Sequence, residues 1–319
     1  MPKSGNPIAI YYEHPHWFLR VFAELDRRNI PYVRLDAAHH HFGFEANGSQ
    51  AYSLLFNRMS PSAWTRGNAH SVFYTLSYLA HLEETGTRVV NGSHAFRVET
   101  SKALQLSLLH SLGLPHPRSV VINHASEAPA AARSLRFPIV VKPNIGGSGV
   151  GIVRFDSQEQ LETAVASGAI NLGLDSVGIV QEYICARGGH IVRVETVGYK
   201  YLYGIKVFTS GETFDLCPAD ICKTSDGTDL KTSCVIEGAK TGLRVEGYQP
   251  PPEVIGEVER IFAASRIEVG GVEYMIDDRD GQLCYYDINA LSNFVADGPR
   301  VVGFNPFVKL VDYLLEEAR

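Results

Sequence analysis

The sequence predicts an α/β fold, and three observations carry that prediction. Strand-like and helix-like segments alternate through the first ninety residues. A valine-rich strand in the middle of the chain runs into a glycine-rich loop. The last third holds a hairpin signature followed by a helix. With 319 residues and ~150 residues for an ordinary domain, about two domains are expected.

The elements follow in order. Ile8–Tyr12 reads as a first strand, and Trp17, Phe18, Val21, Phe22 and Leu25 recur at helical spacing over 16–28. Ile30–Leu35 is a strand, Tyr52–Phe56 an apolar run, Ser60-Pro61 a loop, and 67–84 a helix with Val72, Leu76, Leu79 and Leu82 on one side. Val89-Val90-Asn91 closes this unit as a short strand end. Strands alternating with helices imply a parallel sheet here. One long helix is expected at 97–112, stopped by Gly113, Pro115 and Pro117. Strand 119–122, helix 127–136 and strand 139–142 come next, then strand 151–155. Ser157 and Gln160 make a capping-box start for a helix at 158–167. Strands follow at 179–184, 191–197 and 201–208. Residues 209–250 read as loop. A helix is expected at 253–265, strands at 271–276 and 283–288 around the Asp280-Gly281 turn, and a helix at 306–317 with Asn305 as cap and Pro306 as its first residue.

Composition excludes several classes. Net charge is 29 − 35 = −6, which repels nucleic acid and anionic membrane surfaces. The five cysteines, Cys185, Cys217, Cys222, Cys234 and Cys284, include no C-x-x-C, so free thiols in a reducing cytoplasm are expected rather than a disulfide framework. No apolar run approaches the ~18 residues of a membrane span. Met1–Pro7 is short and polar, unlike a signal peptide.

Three segments could carry chemistry. Val140-Val141-Lys142 leads into a loop with Gly146, Gly147, Ser148, Gly149 and Gly151, whose backbone N–H groups could turn towards an anion without Cβ obstruction. No Gly-Lys-Ser/Thr follows, and the loop enters a strand, so it is neither a Walker A loop nor a dinucleotide fingerprint. Taken alone it is as consistent with a plain hairpin. Glu273, Asp287 and Asn289 are hard oxygen ligands suited to Mg²⁺, and Asp287 and Asn289 share a strand face. A solvated strand face is the bland reading. Gln181-Glu182-Tyr183-Ile184 is a strand with a polar interruption that needs no function to explain it.

Their order changes the balance. A helix bearing Lys102 after Val90-Asn91, then the Lys142 glycine loop, Gln181–Ile184 and the acidic strand pair ending Asp287-Ile288-Asn289 resembles the ATP-grasp superfamily, and within it the RimK-like carboxylate–amine ligases. The resemblance runs from about Asn57 to Asn289. It implies an N-terminal Rossmann-like (pre-ATP-grasp) domain over 1–93 and an ATP-grasp domain over 94–319, with a central lid part at about 118–182 and a C-terminal part at about 183–319. It implies ATP held by Lys102, Lys142, Gly146, Gly147, Ser148, Gly149, Gln181, Glu182, Tyr183, Ile184 and Lys206. Mg²⁺, with Mn²⁺ as an alternative, would be held by Glu273, Asp287 and Asn289. Arg193 and Lys142 are the catalytic candidates. Arg58, His14 and Asn293 stand on the substrate side.

The expected activity is ATP-dependent joining of a small carboxylate to an amine through an acyl phosphate, in the cytoplasm, with no nucleic-acid or membrane partner and homo-oligomerisation left open. The competing class is an ATP-binding regulatory or scaffold protein without turnover. The chain departs from the family pattern where Ile191 stands in place of the usual ribose-binding acid. The usual Arg-Ser-Asn is also missing from Phe214–Asp220, the loop that helps to form the acceptor site.

Overall fold

The computed structural model describes residues 5–44, 52–147, 149–208 and 244–319. Ser148, the acceptor loop Phe214–Asp220, and Cys217, Cys222 and Cys234 lie outside the described residues.

The N-terminal unit comprises β1 (Ile8–Tyr12), α1 (Leu19–Arg27), β2 (Tyr32–Asp36), β3 (Leu54–Arg58), α2 (Ala69–Glu84) and β4 (Val89–Val90). Its sheet order is β2-β1-β3-β4, and every pairing is parallel, as the alternation of elements implies. The Ser60-Pro61 loop of the sequence reading is instead a 3-10 turn, Pro61–Arg66. Ser60 caps it by accepting from the Ser62 amide.

The helix expected at 97–112 is two helices, α3 (Ser93–Glu99) and α4 (Lys102–Ser111). Ser101 breaks the run, because in extended backbone its hydroxyl accepts from Leu104 N and caps α4. Lys102 thereby becomes the first residue of a new helix rather than a mid-helix side chain.

The central layer comprises β5 (Ser119–Ile122), α5 (Ala128–Ala132), β6 (Ile139–Pro143), β7 (Val153–Phe155), α6 (Gln158–Ala166) and β8 (Gly178–Glu182), with sheet order β5-β8-β6-β7, all antiparallel. The capping box is present: Ser157 Oγ accepts from Gln160 N, and the Gln160 side chain returns to Asp156 N.

The remaining elements are β9 (His190–Val197), β10 (Lys200–Phe208), β11 (Val245–Tyr248), α7 (Pro252–Ser265), β12 (Val269–Ile276), β13 (Leu283–Asn289), α8 (Gly298–Val302) and α9 (Pro306–Glu317). Their antiparallel sheet runs β11-β10-β9-β12-β13. Strand β11 falls in the stretch read as loop, and the short α8 carries no sequence signal strong enough to find.

One hydrophobic core joins the N-terminal sheet (Ile8, Ile10, Leu54, Phe56) to the large sheet and α9 (Ile205, Val207, Leu310, Leu314). A second lies between the opposite face of the large sheet and α7, with Val192, Val194, Val258 and Phe262. With β9, β10 and β12 packed on both faces, their few charged side chains are conspicuous. Among the described residues no helix is long and apolar enough to cross a membrane.

Candidate active site

A cavity opens where the three sheets meet. Strand alternation sets its chemistry. Along β9, Arg193 and Glu195 share one face. The register places Arg193 opposite Glu273 on β12, and Glu273 opposite Asp287 on β13. Asn289 follows two residues on, so one sheet face gathers the arginine and all three proposed metal ligands. Lys102, Lys142, Gly146, Gly147, Gly149, Arg193, Glu273, Asp287, Asn289 and Asn293 all line the cavity.

The two lysines are brought together by Asn144. Its side-chain oxygen accepts from Ser101 Oγ (3.1 Å) and Ala103 N (2.9 Å), its carbonyl accepts from Lys102 N (3.3 Å), and its amide donates to Asp175 (2.6 Å). The loop after β6 is thus fastened to the head of α4. Lys102 Nζ donates to Asp287 Oδ1 at 2.5 Å, and Lys142 Nζ to Gln181 Oε1 at 2.9 Å. Burial and the neighbouring Lys102 charge push Lys142 down to about 7, with Asp287 opposing. Burial also works against the charge on Lys102, but its Asp287 partner more than compensates and raises it.

Arg193 is held on three sides. Nε donates to Glu195 (2.6 Å), one terminal nitrogen to Glu273 (3.2 Å) and the other to Ser292 Oγ (2.6 Å). Tyr286 donates to the second Glu273 oxygen at 2.6 Å. Burial and the Asp287 charge raise Glu273 to about 6, against the pull of Arg193.

Several expected residues lie elsewhere. Gln181 reaches the site only through Lys142. Glu182 faces the other side of β8, where its carboxylate accepts from Arg136 N (3.0 Å) and meets Arg118, Arg136 and Arg279 at 3.4–3.9 Å. Tyr183 donates its amide to Pro138, its ring lies under Arg154 at 4.7 Å, and neither it nor Ile184 lines the cavity. Lys206 pairs with Val192, not Arg193, so it stands on the opposite face, 4.6 Å from the Tyr248 ring. His14 stacks on Trp17 at 4.0 Å and, unlike Trp17, does not line the cavity. Burial, then Arg66, lowers it to about 3, which keeps the ring neutral. Arg58 is buried beside the cavity without lining it.

Other residues were not anticipated. Trp17, Ser60 and Ser62 bring the N-terminal unit into the wall, and Glu99 lines it from the end of α3. Burial raises Glu99 to about 7, although backbone N–H groups of Ala290 and Leu291 favour its charged form. Glu195 was legible in principle: Val192-Arg193-Val194-Glu195 puts two charges on one face of an otherwise apolar strand.

The metal set passes a chemical test. Two carboxylates and an amide oxygen on adjacent strands are hard donors of the kind that would hold Mg²⁺. Among the described residues no group of three or more His, Cys, Asp or Glu could hold a metal ion, so the set depends on the Asn289 amide oxygen as its third donor.

The family model for the D-ala D-ala ligase C-terminus matches residues 108–215. A probable alpha-L-glutamate ligase of Saccharophagus degradans is 30% identical over 142 residues, 44% of this chain and 46% of that protein. The ATP-grasp ligase PsnB complexed with minimal precursor superposes with a TM-score of 0.69 at 17% identity, covering 98% of this chain and 99% of the other. A RimK domain protein from Sphaerobacter thermophilus gives 0.65 at 17% identity, covering 96% and 99%. This chain has the ATP-grasp fold. Within it, the sequence resembles RimK-like ligases, as its motifs imply, and also the D-Ala–D-Ala ligases. The matches span 36% and 46% of the first curated relatives.

Proposed function

We propose that this protein is an ATP-dependent carboxylate–amine ligase that forms an amide bond and releases ADP and phosphate. The observation that carries the reading is the single cavity lined by Lys102, Lys142, Arg193, the glycine loop and the Glu273–Asp287–Asn289 set. In this reading residues 1–93 supply the substrate-side wall, and residues 94–319 clasp the nucleotide between the central and large sheets.

A carboxylate is a poor electrophile. Attack of its oxygen on the γ-phosphorus of ATP breaks the bond to ADP and yields an acyl phosphate. An amine then attacks the acyl carbon, and phosphate leaves. Such transfer depends on positioning and charge neutralisation rather than covalent work by the protein. Lys102 and Lys142 supply cationic donors to the phosphates. Mg²⁺ held by Glu273, Asp287 and Asn289 would neutralise charge on the phosphate oxygens. Arg193, fixed by Glu195, Glu273 and Ser292, presents its guanidinium where charge develops during acyl transfer. The glycine loop covers the cavity and excludes water that would hydrolyse the acyl phosphate. The probable alpha-L-glutamate ligase relative and the D-ala D-ala ligase family model support amino-acid substrates, and PsnB in complex with a precursor peptide keeps short peptides in the panel.

A panel of amino acids, small acids and short peptides scored for ADP release, with product mass equal to acid plus amine minus water, tests the reading. ADP release unaffected by every acid would leave the regulatory ATP-binding alternative.

A further inference from the structure

In open parallel α/β sheets, ligands usually bind at the carboxyl ends of the strands. Here that edge of the N-terminal sheet grips another part of the protein. Asn57 and Arg58 end β3, and Asn91 follows β4. Asn57 Nδ2 donates to the Asn91 carbonyl (3.0 Å). Asn91, in left-handed backbone with φ 57°, donates its side-chain amide to Ala290 O (2.7 Å) and Val269 O (2.6 Å) and accepts from Glu268 N (2.9 Å) and Val269 N (3.1 Å). Arg58 donates to Ser292 O (2.5 Å), Ala290 O (3.4 Å) and Asn293 Oδ1 (3.5 Å), with its guanidinium over the Phe18 and Phe56 rings at 5.2 and 5.0 Å.

Only 4% of Arg58 is exposed, and it donates to two backbone carbonyls and an amide oxygen. A cation buried on neutral acceptors carries a desolvation cost that an apolar side chain of similar length avoids. Its neighbours show what that cost secures. The segment it holds, Ala290–Asn293, follows the metal-strand residue Asn289 directly. Leu291 and Asn293 line the cavity, and Ser292 holds Arg193. From the opposite side, Glu99 accepts from Ala290 N.

We propose that Arg58 and Asn91 are positioning residues which clamp the Ala290–Asn293 loop and thereby fix Asn289 and the Arg193 anchor, without touching substrate. The proposal rests on the ligase reading for its effect on turnover, not for the clamp itself. It departs from the substrate role that the sequence resemblance implies for Arg58.

The test compares wild type, Arg58→Met and Arg58→Lys by amide hydrogen exchange over 289–293 without nucleotide, Mg²⁺–AMPPNP binding, and steady-state kinetics with the best acid. Arg58→Met should exchange at least tenfold faster at Ala290 and Leu291, bind Mg²⁺–AMPPNP more weakly, and lose roughly ten- to a hundredfold in kcat with little change in KM for the acid. Its thermal midpoint should fall only slightly, because removing the buried charge offsets the cost of the acceptors that lose their donor, Ser292 O above all. Arg58→Lys, which keeps one donor, should fall between the two. Unchanged exchange in both variants would overturn the proposal, and a raised KM for the acid at unchanged kcat and exchange would restore the substrate role. If wild type turns over no acid, the ligase reading fails while the exchange comparison still decides the clamp.

Discussion

Lys142 sets the pH behaviour at the scale of single residues. Its folded pKa of about 7 lies below the ordinary lysine value of 10.5. Below pH 7 both the folded and unfolded chains are protonated there, and the full cost of burying the charge applies. As pH rises from 7 towards 10.5 the folded form sheds the proton first, so stability should rise. That rise in thermal midpoint between pH 7 and 9 should be absent in Lys142→Met. Nucleotide binding has the opposite sign, because phosphates favour the charged ammonium. Mg²⁺–ATP affinity should weaken above neutral pH, and Lys142→Arg should flatten the dependence. Lys142→Ala should cost ~10²–10³ in turnover, the usual loss for a donor to developing charge; kinetics like wild type would make it a bystander. Asp287 gives a second expectation. Read from sequence, Asp287→Asn relieves repulsion with Glu273. The 2.5 Å pair with Lys102 reverses this: breaking it strands a buried cation, so the variant should lower the thermal midpoint of the nucleotide-free protein as well as weaken Mg²⁺–ATP use. A raised midpoint would show that the repulsion dominates.

At the scale of elements, the glycine loop and the 3-10 turn of the N-terminal unit form one contact. A Cβ on Gly147 would lie 2.5 Å from Ser62 Cβ and 3.1 Å from its Cα, and Gly149 has a φ of 70°. Gly147→Ala should therefore keep the loop from seating on Ser62, lowering kcat about tenfold with little change in folding stability. Ser62→Gly should restore part of the loss. Full activity of Gly147→Ala would mean the loop does not close there during turnover.

The same elements show what the sequence discloses. The β6 lysine, the glycine loop and the β12–β13 pair are local patterns, and alternation places their side chains correctly. The break between α3 and α4 is also local, but Ser101 sits inside an apolar period that hides it. Lys206 and Glu182 needed knowledge of register and strand face, which pairing decides. The Asn144 tie, the Arg58 and Asn91 clamp and the Ser62 seat join residues far apart in the chain, and no spacing signals them.

At the scale of the molecule, three sheets converge so that cations and carboxylates share one buried space. Lys102, Lys142 and Arg193 meet Glu99, Glu273 and Asp287 there, with Glu195 behind Arg193. In the proposed ligase, protons and Mg²⁺ would compete for the carboxylates. Burial raises Glu273 to about 6, so acid removes a ligand at pH values where an ordinary glutamate still binds. The acid limb of the activity profile should lie near pH 6 at low Mg²⁺ and shift to lower pH as Mg²⁺ rises. An acid limb indifferent to Mg²⁺ would remove Glu273 from the metal set.

In the proposed reaction ATP activates a carboxylate by phosphoryl transfer. Supplying the acid found in the panel with ¹⁸O in its carboxylate, together with ATP, Mg²⁺ and the amine, tests it most directly. One ¹⁸O is expected in each inorganic phosphate released and one retained in the amide product. Phosphate without the label, formed alongside the amide, would contradict it.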